Sequence, residues 1–425
     1  MRITETQLEI QREPFARPFA FKGSAFHEKW NMVVRLRDDQ GNETVGLGGL
    51  AVLWSDAAVF SAHTEVGGNL LQASILEFAL QKIRDRDYPD PPSMLCDILP
   101  QAFAYGRSIT GNDQLRLTFV RIALVALDNA AWLLFAKQSG VSTFDGIIPP
   151  WVEEPLSHRQ EAVAVVPTVS YTLPMNELED ILHAGAYVLK IKLGHPGDQP
   201  EMVAKDKEWL TRIHDLAKGH RSSMTDTGNI LYYLDANGRY SEKSGMSELL
   251  NHADRIGALD RVILVEEPFD ESVQIDVGDL PARIAADESV HSIEDVHVRA
   301  EQGYGALAIK PSGKTMSLAF EMVKAGSDLG MECFVADNGC VPLLVEWNKN
   351  IAARLPAFPG LKGGLMESNG PENYATWDRL LSEYPLPTAN WLRPIDGAFR
   401  LDESYYAASG GIYESPTSYS ALLRA

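Results

Sequence analysis

The alternation of apolar and polar positions passes through three regimes along the chain. Near the N-terminus, Trp30-Asn31-Met32-Val33-Val34-Arg35-Leu36-Arg37 runs into Asp38-Asp39-Gln40-Gly41-Asn42 and then Thr44-Val45-Gly46-Leu47-Gly48. Two β-rich runs around a polar, Gly-bearing turn predict a hairpin, and the first fifty residues read as antiparallel strands. Gly46-Leu47-Gly48-Gly49 completes no GxGxxG and is followed by no GK[ST]. It is read as a structural glycine bend rather than a phosphate loop. From Gln72 the pattern turns helical. Leu117, Val120, Leu124, Leu127, Ala131 and Leu134 recur at helical spacing and predict one long helix over 113–138. Asp128 within it reads as a buried carboxylate tied to neighbouring backbone.

After a connecting stretch around Pro149-Pro150-Trp151 and Ser157-His158-Arg159-Gln160, short strand-like runs alternate with helix-length segments. The runs are 161–173, 186–193, 230–235, 261–266, 283–287, 306–310, 331–337 and 362–367. Strands alternating with helices imply a parallel sheet, and this count is that of a (β/α)8, TIM-like barrel. The alternation stops near Pro371. Asp396-Gly397-Ala398-Phe399-Arg400-Leu401 reads as a late strand returning to the N-terminal domain.

Composition narrows the function classes. Lys plus Arg is 38 against 58 for Asp plus Glu, a net charge of −20, which argues against nucleic acid or an anionic membrane as partner. With 45% hydrophobic and 23% charged residues over 425 positions, the chain is ordinary globular protein with room for more than one core. Cys96, Cys333 and Cys340 form no CxxC pair, so neither a disulfide framework nor a cysteine metal site is expected. The N-terminus shows no basic start followed by an apolar core, and the apolar stretch Ile122 to Ala136 is too short to span a bilayer. The expected location is the cytoplasm.

The ends of the strand-like runs carry the chemistry. Along Tyr187-Val188-Leu189-Lys190-Ile191-Lys192-Leu193, alternation puts Leu189, Ile191 and Leu193 on one face and Val188, Lys190 and Lys192 on the other. In a barrel that second face points inward. The next three runs end in Asp235, Glu266 and Asp287, 31 and 21 positions apart. One acidic strand end is commonly a helix cap. Three on successive strands, at the rim where barrel active sites lie, would repel strongly unless a hard divalent cation such as Mg²⁺ joins them. Lys310 ends the sixth run, opposite the second, so Lys192 and Lys310 would flank the metal. Burial and the neighbouring Lys190 are expected to lower a lysine toward the range of a general base. A substrate carboxylate on the metal would be stabilised as an enediolate while one lysine removes the α-proton and the other returns it.

Lys190-Ile191-Lys192, Asp235 in DANG, Glu266 in VEEP, Asp287 in ADES and Lys310 in AIKPS together resemble the enolase superfamily. Within it they resemble the muconate-lactonizing-enzyme-like subgroup of the mandelate racemase/muconate lactonizing enzyme family. Lys310 argues against the mandelate racemase subgroup, which carries a His–Asp dyad on strands six and seven. Ala126 to Trp132 looks like the helix preceding the barrel in this family. The resemblance covers most of the chain, strongly over 186–312 and weakly elsewhere. It implies a modified (β/α)7β barrel over 151–370 and an α+β capping domain over 1–150, with 371–425 returning to the capping domain. It implies one Mg²⁺ per chain, which Mn²⁺ could replace, with Asn237 and Glu267 standing behind the ligands. Asp337, Asn338, Glu367 and Phe26 would contact the distal part of the substrate. Asp337 and Glu367 suit an ammonium or hydroxyl there, with ordinary helix capping as the alternative. Phe26 and His27 would lie in a capping-domain loop over the site, His27 as a surface residue. The polar segment Gly219 to Asn229 departs from the family's spacing.

The expected activity is Mg²⁺-dependent racemisation or epimerisation of a carboxylate by two opposed lysines. Cycloisomerisation or elimination of water (a lyase reaction) shares the first step. A non-catalytic, metal-dependent binding protein and a metal-activated hydrolase are the rivals; the hydrolase would favour histidine ligands, and no His ends runs two to seven. The expected partners are a small-molecule carboxylate and further copies of the chain in a homo-oligomer.

Overall fold

The computed structural model describes residues 1–21 and 24–423. Strands β1 (Ile3–Phe21), β2 (Ser24–Asp38) and β3 (Glu43–Gly49) form an antiparallel sheet in that order. The expected hairpin is present, with Arg37 facing Glu43 and Asn31 facing Gly49. Asp38 Oδ1 closes its turn by accepting from the amides of Gln40 and Asn42. The Gly-rich run is not a bend but the body of β3. Helix Val125–Gln138 lies so close that a Cβ on Gly46 would stand 2.3 Å from the Ala126 carbonyl oxygen. Glycine is needed there for close approach of a strand and a helix.

Helices begin earlier than Gln72, with Val52–Ser55, Ala57–Ala62 and then Glu65–Lys82, whose first turn is capped by Thr64. The single helix expected over 113–138 is two, Leu117–Ala123 and Val125–Gln138, bent by 50°. The turn tightens at Leu124, whose amide reaches the carbonyls of both Val120 and Arg121. Periodicity alone does not register such a break. Among the described residues, no single helix is long and apolar enough to cross a membrane.

The second sheet contains β4 (Ala162–Val166), β5 (Thr168–Val169), β6 (Val188–Lys192), β7 (Leu231–Asp235), β8 (Val262–Glu266), β9 (Ile284–Ala286), β10 (Ala306–Ile309), β11 (Glu332–Val335) and β12 (Gly364–Glu367). From β5 to β12 each strand pairs in parallel with the next, and β12 pairs with β4. Pro167, which has no amide to donate, divides β4 from β5. Both ends of the sheet therefore fall on one continuous run, and the sheet closes as a TIM-like barrel of eight strand runs under an α+β cap. The helix alternation is incomplete, because the link 267–283 between β8 and β9 holds no helix among the described residues. Pro268, Gly278 and Pro281 interrupt it.

One expectation about the periphery is corrected. Strand β13 (Ala398–Arg400) does not join the capping sheet but pairs antiparallel with β4. Because β5, not β4, pairs with β6, one edge of β4 is left open, and β13 covers it. It is the stretch before it that reaches the cap, where the Arg379 guanidinium donates to both carboxylate oxygens of Glu13. The polar segment 219–229 precedes β7 and bonds the segment entering β12, through Asp226 N to Gly360 O and Lys362 N to Met224 O. It occupies the rim opposite the strand ends, away from the candidate chemistry.

The cap docks on the barrel through Asp128, which is fully buried. Its carboxylate accepts from the amide and hydroxyl of Ser317 at 3.0 and 2.6 Å, at the start of helix Met316–Asp328. A carboxylate there also complements the helix dipole. The backbone it binds is distant in sequence, not neighbouring as expected.

Two predictions follow from the packing. Gly46→Ala would force β3 off its helix and is expected to cost about 2–4 kcal/mol in urea unfolding. Burial holds the Asp128 carboxyl up at about 6, against the Ser317 hydrogen bonds that lower it. The unfolded chain then binds fewer protons than the native one between pH 3.8 and about 6, so this residue's contribution to stability falls as pH rises through that window. Asp128→Asn is expected to remove that slope in urea unfolding measured across the same range.

Candidate active site

The parallel register aligns Lys192 with Asp235, Asp235 with Glu266, and Glu266 with Ala285 across four strands. Alternation then carries Asp287 to the same inward face as Ala285. The chain turns sharply after two of these strands. Asn237 and Glu267 both adopt positive φ, 45° and 41°. Asn tolerates that region, whereas a Glu there is strained. The turns return both side chains toward the site. Asn237 accepts from Lys192 Nζ at 2.9 Å and donates to Glu288 at 2.9 Å. Glu267 Oε2 accepts from the amides of Asp287 and Ser289, fixing the end of β9.

Lys190 is buried at the centre, with its ammonium 2.9 Å from Asp235, 2.8 Å from Glu266 and 3.0 Å from Glu367. Lys192 lies 2.5 Å from Asp235, and Lys310 lies 2.5 Å from Asp287. Since β6 and β10 are four strands apart around eight, Lys192 and Lys310 face each other across the barrel, as alternation implied. At Lys310 the expected lowering is not what the site produces. Burial does act downward on Lys310, but Asp287 and Glu266 outweigh it and raise it. At Lys190 burial is likewise overcome, by Asp235, Glu266 and Glu367. Both are held as ammonium ions by carboxylates that a strand-by-strand reading treats as metal ligands only. Asp235 feels the reciprocal effect: burial would raise it, yet Lys190 and Lys192 hold it at about 2.

The acidic side chains do not group quite as the sequence suggests. One oxygen from each of Glu266, Asp287 and Glu288 lies within 4.8 Å of the other two, whereas Asp235 turns to the lysines. Glu266 Oε1, Asp287 Oδ1 and Glu288 Oε2 are buried without a hydrogen-bond partner. Buried carboxylate oxygens left in that state are costly, and an all-oxygen set of this kind suits a hard divalent cation. Burial and the adjacent Glu288 push Glu267 up to about 7.

The distal residues are placed as follows. Asp337 accepts from the amides of Asn338 and Cys340 on Oδ1 and of Asn369 on Oδ2, so it organises the ends of β11 and β12. Glu367 accepts from Lys190 and from the Asp337 amide. Both line a cavity that Asn338, Phe26, Lys192 and Lys310 also line. Phe26 lies on strand β2, not on a loop, and His27 beside it is exposed and bonded to Glu65.

Several contributors escaped the sequence reading. Tyr233, two positions before Asp235 and on the same face, donates to Glu266 and accepts from Lys190. Lys314, four positions after Lys310, donates to the Asp287 carbonyl at 2.7 Å. Glu288 lies beyond the end of β9, where strand alternation no longer assigns a face. Trp54 lies under Lys310 Nζ, 4.5 Å from its ring centroid, and Phe15 and Phe19 line the cavity. No local signal ties those three to a barrel more than a hundred residues away.

No protein-family model matches the chain by sequence, and no curated protein does. Solved structures share its fold. A mandelate racemase/muconate lactonizing protein from Herpetosiphon aurantiacus matches with a TM-score of 0.65 at 17% identity, over 94% of this chain and 96% of that one. A dipeptide epimerase from Enterococcus faecalis, complexed with Mg and L-Leu-L-Tyr, matches at 0.64 and 14%, over 88% and 92%. The L-Ala-D/L-Glu epimerase from Bacillus subtilis matches at 0.63 and 16%, over 88% and 92%.

Mg²⁺ is expected to bind in isothermal titration, and Glu288→Gln to weaken it about tenfold or more. The exposed Asp97→Asn serves as a control that leaves the affinity unchanged.

Proposed function

We propose that this chain is an enzyme of the enolase superfamily, in its mandelate racemase/muconate lactonizing branch, and that it racemises or epimerises a small carboxylate at the α-carbon. The observation that carries this reading is the pair of lysines on opposed strands, with buried, unsatisfied carboxylate oxygens between them. Reversing a stereocentre requires a proton donor and a proton acceptor on opposite faces, which is what Lys192 and Lys310 provide. The structural neighbours support it, since several are epimerases complexed with Mg and a dipeptide.

Glu266 and Asp287 would hold one Mg²⁺, or Mn²⁺ in its place. The third ligand would be Glu288 by proximity or Asp235 by strand position. The ion would supply positive charge against the second negative charge that develops on the substrate carboxylate as the α-proton leaves. Lys190 fixes Asp235, Glu266 and Glu367 relative to one another and remains an ammonium throughout. In one direction Lys192 takes the α-proton on one face while Lys310, held as an ammonium, delivers its proton on the other; in the reverse direction Lys310, now a free amine, takes the proton and Lys192 returns one. Asn237 orients Lys192 through its 2.9 Å hydrogen bond. The capping domain covers the cavity and keeps water from the reacting carbon.

The test is α-proton exchange in deuterated water, followed by NMR over a panel of acid-sugar, N-acylamino acid and dipeptide substrates. Lys192→Ala and Lys310→Ala are each expected to reduce exchange by about 10²–10⁴. Absence of exchange from every carboxylate shown to bind, or full exchange in the double variant, would overturn the reading.

A further inference from the structure

The cavity's outer wall has a chemistry of its own. Phe15, Phe19 and Phe26 line it from the capping hairpin. Pro14 pairs with Glu28 and Phe19 with Phe26, so β1 spends five steps where β2 spends two. That irregularity brings all three rings into one cluster. Phe26 stands 5.4 Å from Phe15 and 5.2 Å from Phe19, and Tyr374 stands 5.1 Å from Phe15. The three phenylalanines are only half-buried. Clustered aromatic area left open at the mouth of a polar site is a surface that an apolar group would cover favourably.

The polar groups on the same wall are already engaged. A carboxylate has about four acceptor positions, and backbone amides take three of those on Asp337. Glu367 is held by Lys190 and by the Asp337 amide. Behind Asn338 the buried Lys29 ammonium donates to its carbonyl at 2.6 Å, so one cation already stands beneath the wall. Burial pushes Glu372, the next acid outward, up to about 8, with Glu367 and Asp337 adding to the effect. A second cation brought to this wall would lose its hydration without gaining an uncommitted anion.

We infer that the site takes carboxylates whose distal group is uncharged, apolar and of aromatic size, and that it discriminates against a distal ammonium. This specificity rests on the reading of the site as one for α-carboxylate substrates; of the expected roles for Asp337 and Glu367, an ammonium or hydroxyl contact or helix capping, it sets aside the ammonium.

A matched pair of ligands tests it on the full chain with Mg²⁺ present. 3-Phenylpropanoyl-L-alanine is L-phenylalanyl-L-alanine with the ammonium replaced by hydrogen. In isothermal titration the ligand without the ammonium is expected to bind about tenfold more tightly or better. Phe26→Leu and Phe19→Ala, each checked for folding by circular dichroism, are expected to reduce that ratio. Equal or tighter binding of the dipeptide, failure of both ligands to bind, or a ratio unchanged in both variants would overturn the inference. Exchange of the α-proton is measured separately on the same ligands. A binding preference without exchange would uphold the specificity and overturn the proton-abstraction reading instead.

Discussion

Asp235, Glu266, Asp287, Glu288 and Glu367 are buried on one rim of the barrel, and five carboxylates in that setting cannot all be ionised without compensating cations. The arrangement around them follows from this constraint. Lys190 is shared among three of the five, while Lys192, Lys310 and Lys314 each attach to one. Even so, one oxygen on each of Glu266, Asp287 and Glu288 is left without a hydrogen bond. The incomplete compensation falls at the position where a divalent cation would complete it, between two opposed lysines.

The same constraint explains why Lys190 and Lys310 are raised rather than lowered. A lysine alone in an apolar barrel would lose its proton more readily, but a lysine facing uncompensated carboxylates keeps it. Charge balance and acid–base behaviour are therefore one problem. Whatever changes the net charge of the acidic cluster also changes how firmly Lys310 holds its proton. Tyr233 belongs to this network as well, because its hydroxyl bridges Lys190 and Glu266.

The cap contributes in two ways. It is anchored by Asp128 on Ser317, and by the Arg116 guanidinium, which binds Glu271 and the Glu288 carbonyl. The second contact ties a capping helix to the backbone of a residue in the acidic cluster. The cap also supplies the apolar half of the cavity, from Trp54 against Lys310 to the phenylalanines of the hairpin. Proton transfer belongs to the barrel in the proposed reading, and selection of the substrate's distal group belongs to the cap.

The eight runs, the inward placement of Lys190 and Lys192, and the opposition of Lys192 to Lys310 were legible in the sequence. Each depends on strand period and strand count, which are local properties of the chain. The hairpin and the burial of Asp128 were legible from local pattern too, the one from its turn and the other from an apolar helical stretch. The sequence could not reveal that β13 covers β4, that the helix breaks at Leu124, or that segment 219–229 lies on the far rim. Nor could it show that Glu288 joins Glu266 and Asp287, that Asp337 is consumed by backbone amides, or that three phenylalanines converge over the cavity. Those outcomes depend on which groups meet after the chain has closed on itself. By itself the sequence determined which residues face inward. Only the tertiary structure decided which of their hydrogen-bonding positions were already taken, because that depends on partners supplied from distant parts of the chain.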